Sequence, residues 1–376
     1  MNKKKILFVI PSLVGGGAEN ALIKLLRAFN YEKYSITLLV VCYQGVYVNQ
    51  VPVEVDVRYL FTNDKTVRIL AYLQKKFGFI WPLKRAFLNK LDTDYDTAVS
   101  YLDSNFTDLL LFLRPKTKKV TWVHSSYVSN KNFNKFYQNE AYRQQVIRQR
   151  YSQLDTIVFV SNDAMREFTE VMGVFPDMRV VYNLFDEDDI RRKADLPILT
   201  LDEPLFTFVA VGSLIPVKGY DLLIAAASLA TKQGFRFRVE IVGKGHQEAF
   251  LKNEVKRLGL EETVIFLGYQ TNPFAYINRA DVFVMTSVSE ALPSVLCEAL
   301  ILGKPVLITD TPGCREVIEF GKYGMMTLRT ARAFADKMME CMNDSNTVKH
   351  YTELSKLKGK EFQKNDILKD FYAIIY

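Results

Sequence analysis

The sequence predicts an α/β protein built from two doubly wound domains, each with a parallel sheet. Three observations carry that expectation. Short apolar, β-branched runs alternate with segments of helical period through both halves of the chain. The alternation stops after Asn183, where Asp186-Glu187-Asp188-Asp189 leads into a polar stretch with Pro197 and Pro204, and then restarts. The 376 residues, 49% hydrophobic and 24% charged, suffice for two domains of about 150–190 residues each.

Taken in order, residues 6–10 read as the first strand and Gly15-Gly16-Gly17 as the turn after it. Ala18, Ala21, Leu22, Leu25, Leu26 and Phe29 then recur at helical spacing, an amphipathic helix that opens just after the glycines. Further strands are expected at 35–41, 97–101, 119–123 and 156–160. After the polar stretch the expected strands are 206–211, 238–242, 263–266, 281–285 and 305–308, and the last segment, 352–376, is helical in pattern. Residues 1–185 are thus read as the first domain, 186–204 as a linker, 205–355 as the second domain and 356–376 as a closing helix.

Four cysteines, Cys42, Cys297, Cys314 and Cys341, form no Cys-x-x-Cys pair and stand beside only three histidines, which disfavours a disulfide framework or a structural zinc site. Lys3-Lys4-Lys5 before residues 6–10 has the order of a signal peptide, but the apolar run is short and breaks at Pro11 before the glycines, so it reads as a strand. No apolar run approaches the ~18 residues that a membrane span requires. A cytoplasmic protein is expected.

Charge is divided unevenly. Residues 1–180 hold 25 Lys+Arg against 16 Asp+Glu, and the remainder 24 against 26. Within the basic half, Lys75, Lys76, Lys84, Arg85 and Lys90 alternate with Phe77, Phe79, Trp81 and Phe87. That mixture suits a segment lying peripherally on an anionic membrane surface, here the inner face of the cell membrane. A solvated basic helix with its aromatics turned inward has the same composition. No helix-turn-helix, RNA-recognition, KH or zinc-finger pattern accompanies the charge, so nucleic acid is not expected as a partner.

The most informative segment is Ser289 to Pro305, which reads Ser-Glu-Ala-Leu-Pro-Ser-Val-Leu-Cys-Glu-Ala-Leu-Ile-Leu-Gly-Lys-Pro. Pro293 suits the first turn of a helix, and Val295, Leu296, Ala299 and Leu300 recur at helical period. Leu292, Pro293, Ser294 and Val295 therefore bracket a helix N-terminus. Glu290 falls in the loop before it, and Glu298 lies inside it, roughly 7.5 Å along the axis. Free N–H groups and the positive dipole end favour a phosphate at that terminus, whereas carboxylates beside a phosphate repel it. The acids are thus expected to hold neutral hydroxyls on either side of a bound diphosphate, the layout of a nucleotide sugar. Two surface acids near a helix start are the plain alternative.

Other positions are read in the same way. Glycines 15–17 let backbone N–H groups approach a phosphate, or simply make a tight turn. Lys218, in a short loop after strand 206–211, can bring its ammonium to a diphosphate, though most loop lysines are only solvated. Gly243 and Gly245 follow a strand, but Glu248 stands where a dinucleotide fingerprint has its third glycine, so a nicotinamide enzyme is not expected. Asp92-Thr-Asp-Tyr-Asp96 imitates an Asp-x-Asp metal motif yet precedes a strand, which puts it at the wrong sheet edge for a ligand.

Together these segments resemble the retaining glycosyltransferases of the GT-B fold, family 4 in particular, of the bacterial surface-polysaccharide type. The resemblance rests on Gly15-Gly16-Gly17-Ala18-Glu19, Trp122-Val123-His124, Val181-Tyr182-Asn183 and Val211-Gly212-Ser213 through Lys218-Gly219. It continues with Val242-Gly243-Lys244-Gly245, Phe266-Leu267-Gly268, the Glu-x7-Glu acids Glu290 and Glu298, and Gly313-Cys314-Arg315-Glu316. These span most of the chain in family order.

The resemblance implies two Rossmann-like domains facing a central cleft, the first for the acceptor and the second for the nucleotide sugar, with a C-terminal helix that returns to the first. It gives catalytic roles to His124 near the donor sugar, Lys218 at the diphosphate and Glu290 at the sugar hydroxyls. It gives donor-binding roles to Gly16, Gly17, Gly212, Ser213, Gly243, Leu292, Pro293, Ser294 and Val295, and to Glu298 at the ribose; Gly313 and Glu316 would lie near the sugar or phosphate. The chain departs from the family at Ser213, where arginine is most frequent, and at Ala291, where glycine is.

The expected activity is transfer, with retention, of a hexose or N-acetylhexosamine from a UDP-linked donor to a glycan or lipid-linked glycan acceptor. No metal or cofactor is expected, and the setting implied is capsule, lipopolysaccharide or lipid-linked oligosaccharide biosynthesis. The alternatives are a sugar-nucleotide epimerase of the same fold and, given Ser213 and Ala291, a nucleotide-sugar-binding protein without catalysis.

Overall fold

Residues 6–10, 36–42 and 120–123 are buried without interruption. Strands buried on both faces need helices on both sides, which is the condition for a parallel sheet. The computed structural model describes residues 3–127, 136–198 and 204–376 and divides into two units. The first comprises Met1–Leu184 with Asn365–Tyr376, and the second Phe185–Lys364.

In the first unit the strands are β1 Lys4–Ile10, β2 Tyr34–Cys42, β3 Asp56–Phe61, β4 Thr97–Ser100, β5 Lys118–Val123, β6 Thr156–Phe159 and β7 Met178–Val180. They pair in parallel in the order β3-β2-β1-β4-β5-β6-β7. The second unit holds β8 Thr207–Val211, β9 Arg238–Val242, β10 Val264–Gly268, β11 Val282–Met285, β12 Val306–Thr309 and β13 Met325–Thr327, parallel in the order β10-β9-β8-β11-β12-β13. Each sheet reverses its winding once, between β1 and β4 and between β8 and β11. Loops that leave those strand ends diverge and open a crevice, where ligands of doubly wound sheets bind.

The ten strands expected from the sequence all form, and the three that were not foreseen are β3, β7 and β13. Each of the three is an edge strand, half exposed, so its residues lack the continuous apolar run that marks an inner strand.

Two boundaries need correction. Residues 186–204 are not all linker, because Glu187–Ala194 is a helix of the second unit. Asp186 caps it by accepting from the Asp189 N–H, acids fill its first turn and bases its last, and Ile190 and Ala194 are buried. Its end is held by the side-chain amides of Asn272 and Asn278, which donate to the carbonyls of Lys193 and Ala194. Its polar composition is that of a helix with one narrow apolar stripe. Residues 199–203 of the expected linker lie outside the described residues.

The closing helix is likewise shorter than 356–376. Helix Ser345–Gly359 stays with the second unit, and only Lys364–Ile375 joins the first. There Phe371 packs between Phe8, Phe29 and Trp122 at ring separations of 6.3, 5.6 and 5.2 Å, Tyr372 stacks on Tyr34, and the Thr97 hydroxyl donates to the Ile375 carbonyl.

Candidate active site

The second unit gathers most of the expected site at the β8/β11 divergence. Lys218 leaves β8 on a single 3-10 turn, Pro216–Lys218, and Glu290 lies beyond β11. Although 72 positions apart, Lys218 Nζ and Glu290 Oε1 are 2.6 Å from each other, and the Ser287 hydroxyl donates to the same oxygen at 2.7 Å. The Thr286 hydroxyl donates to the Lys218 carbonyl, and the Val288 N–H to the Val217 carbonyl, so the two loops are tied by backbone as well as by charge. The carboxylate adds to burial in pushing up two neighbours, the Tyr220 phenol and the Cys314 thiol; in both, burial is the larger cause.

Helix Ser294–Ile301 begins as the spacing predicts, with Pro293 as its N-cap and no side chain capping it. The N–H groups of Ser294 and Val295 find no backbone acceptor among the described residues. Leu292 and Pro293 are buried, and Glu298 is buried in the second turn. Gly313 (φ +72°) backs the Glu290 loop so closely that a Cβ there would lie 2.5 Å from the Glu290 carbonyl oxygen.

Gly212, Ser213 and Gly243 line up beside this pair. A Cβ on Gly243 (φ +153°) would fall 1.9 Å from the Gly212 carbonyl oxygen, so only glycine permits the β8 and β9 loops to touch. The Tyr220 hydroxyl donates to that same carbonyl, and a Cβ on Gly212 would lie 3.6 Å from Lys218 Cε. Ser213 is exposed.

Gly16, Gly17 and His124 belong to the first unit. Gly16 caps helix Gly17–Arg27, but its N–H is not left for a phosphate: Glu19 folds its carboxylate back over the helix start. Burial raises the Glu19 carboxyl above its ordinary range, opposed by the backbone N–H groups of Glu19 and Gly16. A carboxylate already at the helix start disfavours a second anion beside the Gly16 N–H. His124 follows β5 with its ring 5.0 Å from Tyr101. Burial lowers its pKa to about 3, opposed by the Tyr101 carbonyl, so the ring is neutral. Its Nε2 is buried with no hydrogen-bond partner among the described residues, a lone pair that can accept from a hydroxyl.

Beside it, Asp103 accepts from the Tyr127 hydroxyl at 3.1 Å and from the His124 N–H at 3.4 Å, and burial raises its carboxyl to about 6. Asp103 and Ser287 were not singled out from the sequence, and Glu19 was named there only as part of the glycine motif, with no role. Asp103 and Ser287 lie just past strand ends, and Glu19 two residues into a helix after one, positions that were themselves the available signal. In the acidic run before β4, Asp94 pairs with Arg114 and Lys116 and Asp96 accepts from the Lys5 N–H, so these two carboxylates are engaged in holding the strand end.

Residues 15–189 match the family described as Glycosyltransferase Family 4, and residues 191–358 that described as Glycosyl transferases group 1. An uncharacterized glycosyltransferase of Methanocaldococcus jannaschii is 23% identical over 365 residues, covering 83% of this chain and 88% of its own. The N-acetylgalactosamine-N,N'-diacetylbacillosaminyl-diphospho-undecaprenol 4-alpha-N-acetylgalactosaminyltransferase of Campylobacter jejuni is 28% identical over 224 residues, 58% of this chain and 60% of its own. Among solved structures, Anabaena HepE in complex with UDP and glucose superposes with a TM-score of 0.74 at 19% identity, over 98% of both chains. Two parallel Rossmann-like sheets, a Lys–Glu pair at the divergence of the second, and family matches spanning nearly the whole sequence make this chain a family 4 glycosyltransferase of the GT-B fold.

Proposed function

We propose that the chain transfers a hexose or N-acetylhexosamine, with retention, from a UDP-linked donor to a glycan acceptor in surface-polysaccharide or lipid-linked oligosaccharide assembly. The observation that carries the reading is the Lys218–Glu290 pair beside the open N-terminus of helix Ser294–Ile301. A diphosphate seated on the Ser294 and Val295 N–H groups draws the Lys218 ammonium toward it, and the lysine then neutralises charge that grows as the glycosidic bond breaks. Glu290, released from the lysine but still held by Ser287, is free to accept from sugar hydroxyls. Glu298, in the second turn, is assigned to the ribose.

On this reading Lys218 and the helix terminus supply the positive charge for the leaving diphosphate, and the reaction needs no divalent metal. The neutral His124 ring acts as an acceptor for a sugar hydroxyl through Nε2, and Glu19, at the glycine turn, for a hydroxyl of the acceptor. The sequence motifs position no second carboxylate as a nucleophile, which favours front-face displacement over a covalent glycosyl intermediate. The name of the Campylobacter jejuni relative, a transferase acting on a diphospho-undecaprenol acceptor, supports a lipid-linked glycan as the acceptor class.

The test is a panel of UDP-hexoses and UDP-N-acetylhexosamines with glycan acceptors, in EDTA. Release of UDP with an NMR-assigned product of the donor's own anomeric configuration is expected. An inverted product, or isomerisation of the donor without acceptor, would sink the proposal.

A further inference from the structure

We propose that the corner between helices Asp64–Phe77 and Trp81–Lys90 is a docking surface for an anionic lipid bilayer. This goes beyond the transferase reading and does not depend on it. Within the first helix, Lys65, Ile69, Tyr72 and Lys76 recur at spacings of four, three and four, a single row along one side, while Val67 and Gln74 are buried on the other. In the second, Trp81, Arg85 and Leu88 form the outer row, and Leu83 and Phe87 point inward. The aromatics are therefore divided. Phe87 is core, but Phe77, Phe79 and Trp81 are 63%, 48% and 58% exposed, three large apolar rings within five residues of the turn at Gly78.

Ile69 at 60%, Tyr72 at 40% and Leu88 at 42% extend the apolar surface down both helices, and Phe77 and Phe136 edge onto Tyr72 at 6.3 and 5.8 Å. Residues 64–90 hold seven lysines and arginines and one acid, Asp64, which Arg68 neutralises at 2.6 Å. Apolar rings at a turn, flanked on both sides by cations on long stems, match the depth profile of a bilayer interface, with rings at the acyl boundary and ammonium groups among anionic head groups. A second copy of this face is disfavoured because cations would meet cations. Nucleic acid leaves Ile69, Phe77 and Leu88 unexplained.

Trp81 gives the proposal a direct readout. The chain has two tryptophans, and the other, Trp122, is 2% exposed. The full chain is mixed with vesicles of phosphatidylcholine alone or with phosphatidylglycerol, at low and high salt, and followed by sedimentation and tryptophan emission. Binding to the anionic vesicles alone, weakened by salt, with a blue shift that Trp81→Phe abolishes, is expected. Charge reversal of Lys65, Lys76, Lys84 and Arg85 should lower partitioning about tenfold or more, as should Phe77→Ser with Phe79→Ser, while circular dichroism stays unchanged because all six side chains lie at the surface. The proposal is overturned by absence of binding at low salt, by binding without the spectral shift, or by binding that these variants leave intact. It is equally overturned if the same variants abolish a self-association or a nucleic-acid complex instead.

Discussion

Lys218 and Glu290 meet at 2.6 Å although one follows β8 and the other β11, strands that are neighbours in the sheet and far apart in sequence. Their side chains are only 23% and 12% exposed. Without a ligand the two charges satisfy each other. On the proposed reading, a diphosphate would give the lysine a stronger partner, and the pair would serve as a preformed site with both signs of charge in place.

Lys218→Ala and Glu290→Gln should each lower kcat/KM by about 10²–10³. Because the residues share one hydrogen bond, the double variant should fall little below the worse single one. Ser213→Ala, at an exposed residue, should cost little. Steady-state kinetics with a fixed acceptor decide it. Fully additive losses would mean that the pair does not act as a unit.

Gly313→Ala tests the floor under Glu290. The new methyl would press on the Glu290 and Ala291 carbonyls at 2.5 and 2.8 Å, in a left-handed backbone conformation that only glycine adopts freely. A destabilisation of about 1–3 kcal/mol is expected, together with a fall in kcat as the carboxylate shifts. Urea melts and kinetics read the two effects separately, and an unchanged kcat would argue that the loop's position is not critical.

Acid stability should reveal two opposed buried groups in the first unit. His124, held near 3 against an ordinary 6.5, stays neutral in the fold, so stability is lost as pH falls below about 6.5, where the unfolded chain takes the proton first. Asp103, raised to about 6 from 3.8, works the other way, and its contribution is lost as pH rises through 6. The slopes oppose each other between pH 4 and 6. Asp103→Asn should therefore become less stable on acidification over that window, and His124→Asn more stable. Urea midpoints at pH 4.5 and 6.5 check both signs, and parallel behaviour of the two variants would contradict the assignment.

Phe371→Ala removes the ring that fills the space between Phe8, Phe29 and Trp122. Loss of that buried side chain should cost about 3–5 kcal/mol and release helix Lys364–Ile375 from the first unit. A lower melting temperature with earlier proteolytic cleavage near residue 364 is the expected signature. Cleavage no faster than in the parent chain would show that other contacts hold the helix.

By itself the sequence determined the two parallel sheets, the ten strands with strong apolar runs, and the strand-end positions of Lys218, Gly243 and Glu290. Burial on both faces writes itself into consecutive residues, and a strand followed by glycine or a charged loop is a local pattern. Tertiary structure alone decided what those loops meet. The partner of Glu290 follows from β8 lying next to β11, an order that no local period encodes. The same holds for Phe87 turning inward while Phe77, Phe79 and Trp81 turn out, and for the edge strands, which only pairing identifies. Propensity acts within a few residues, and these outcomes are set by neighbours tens of positions away.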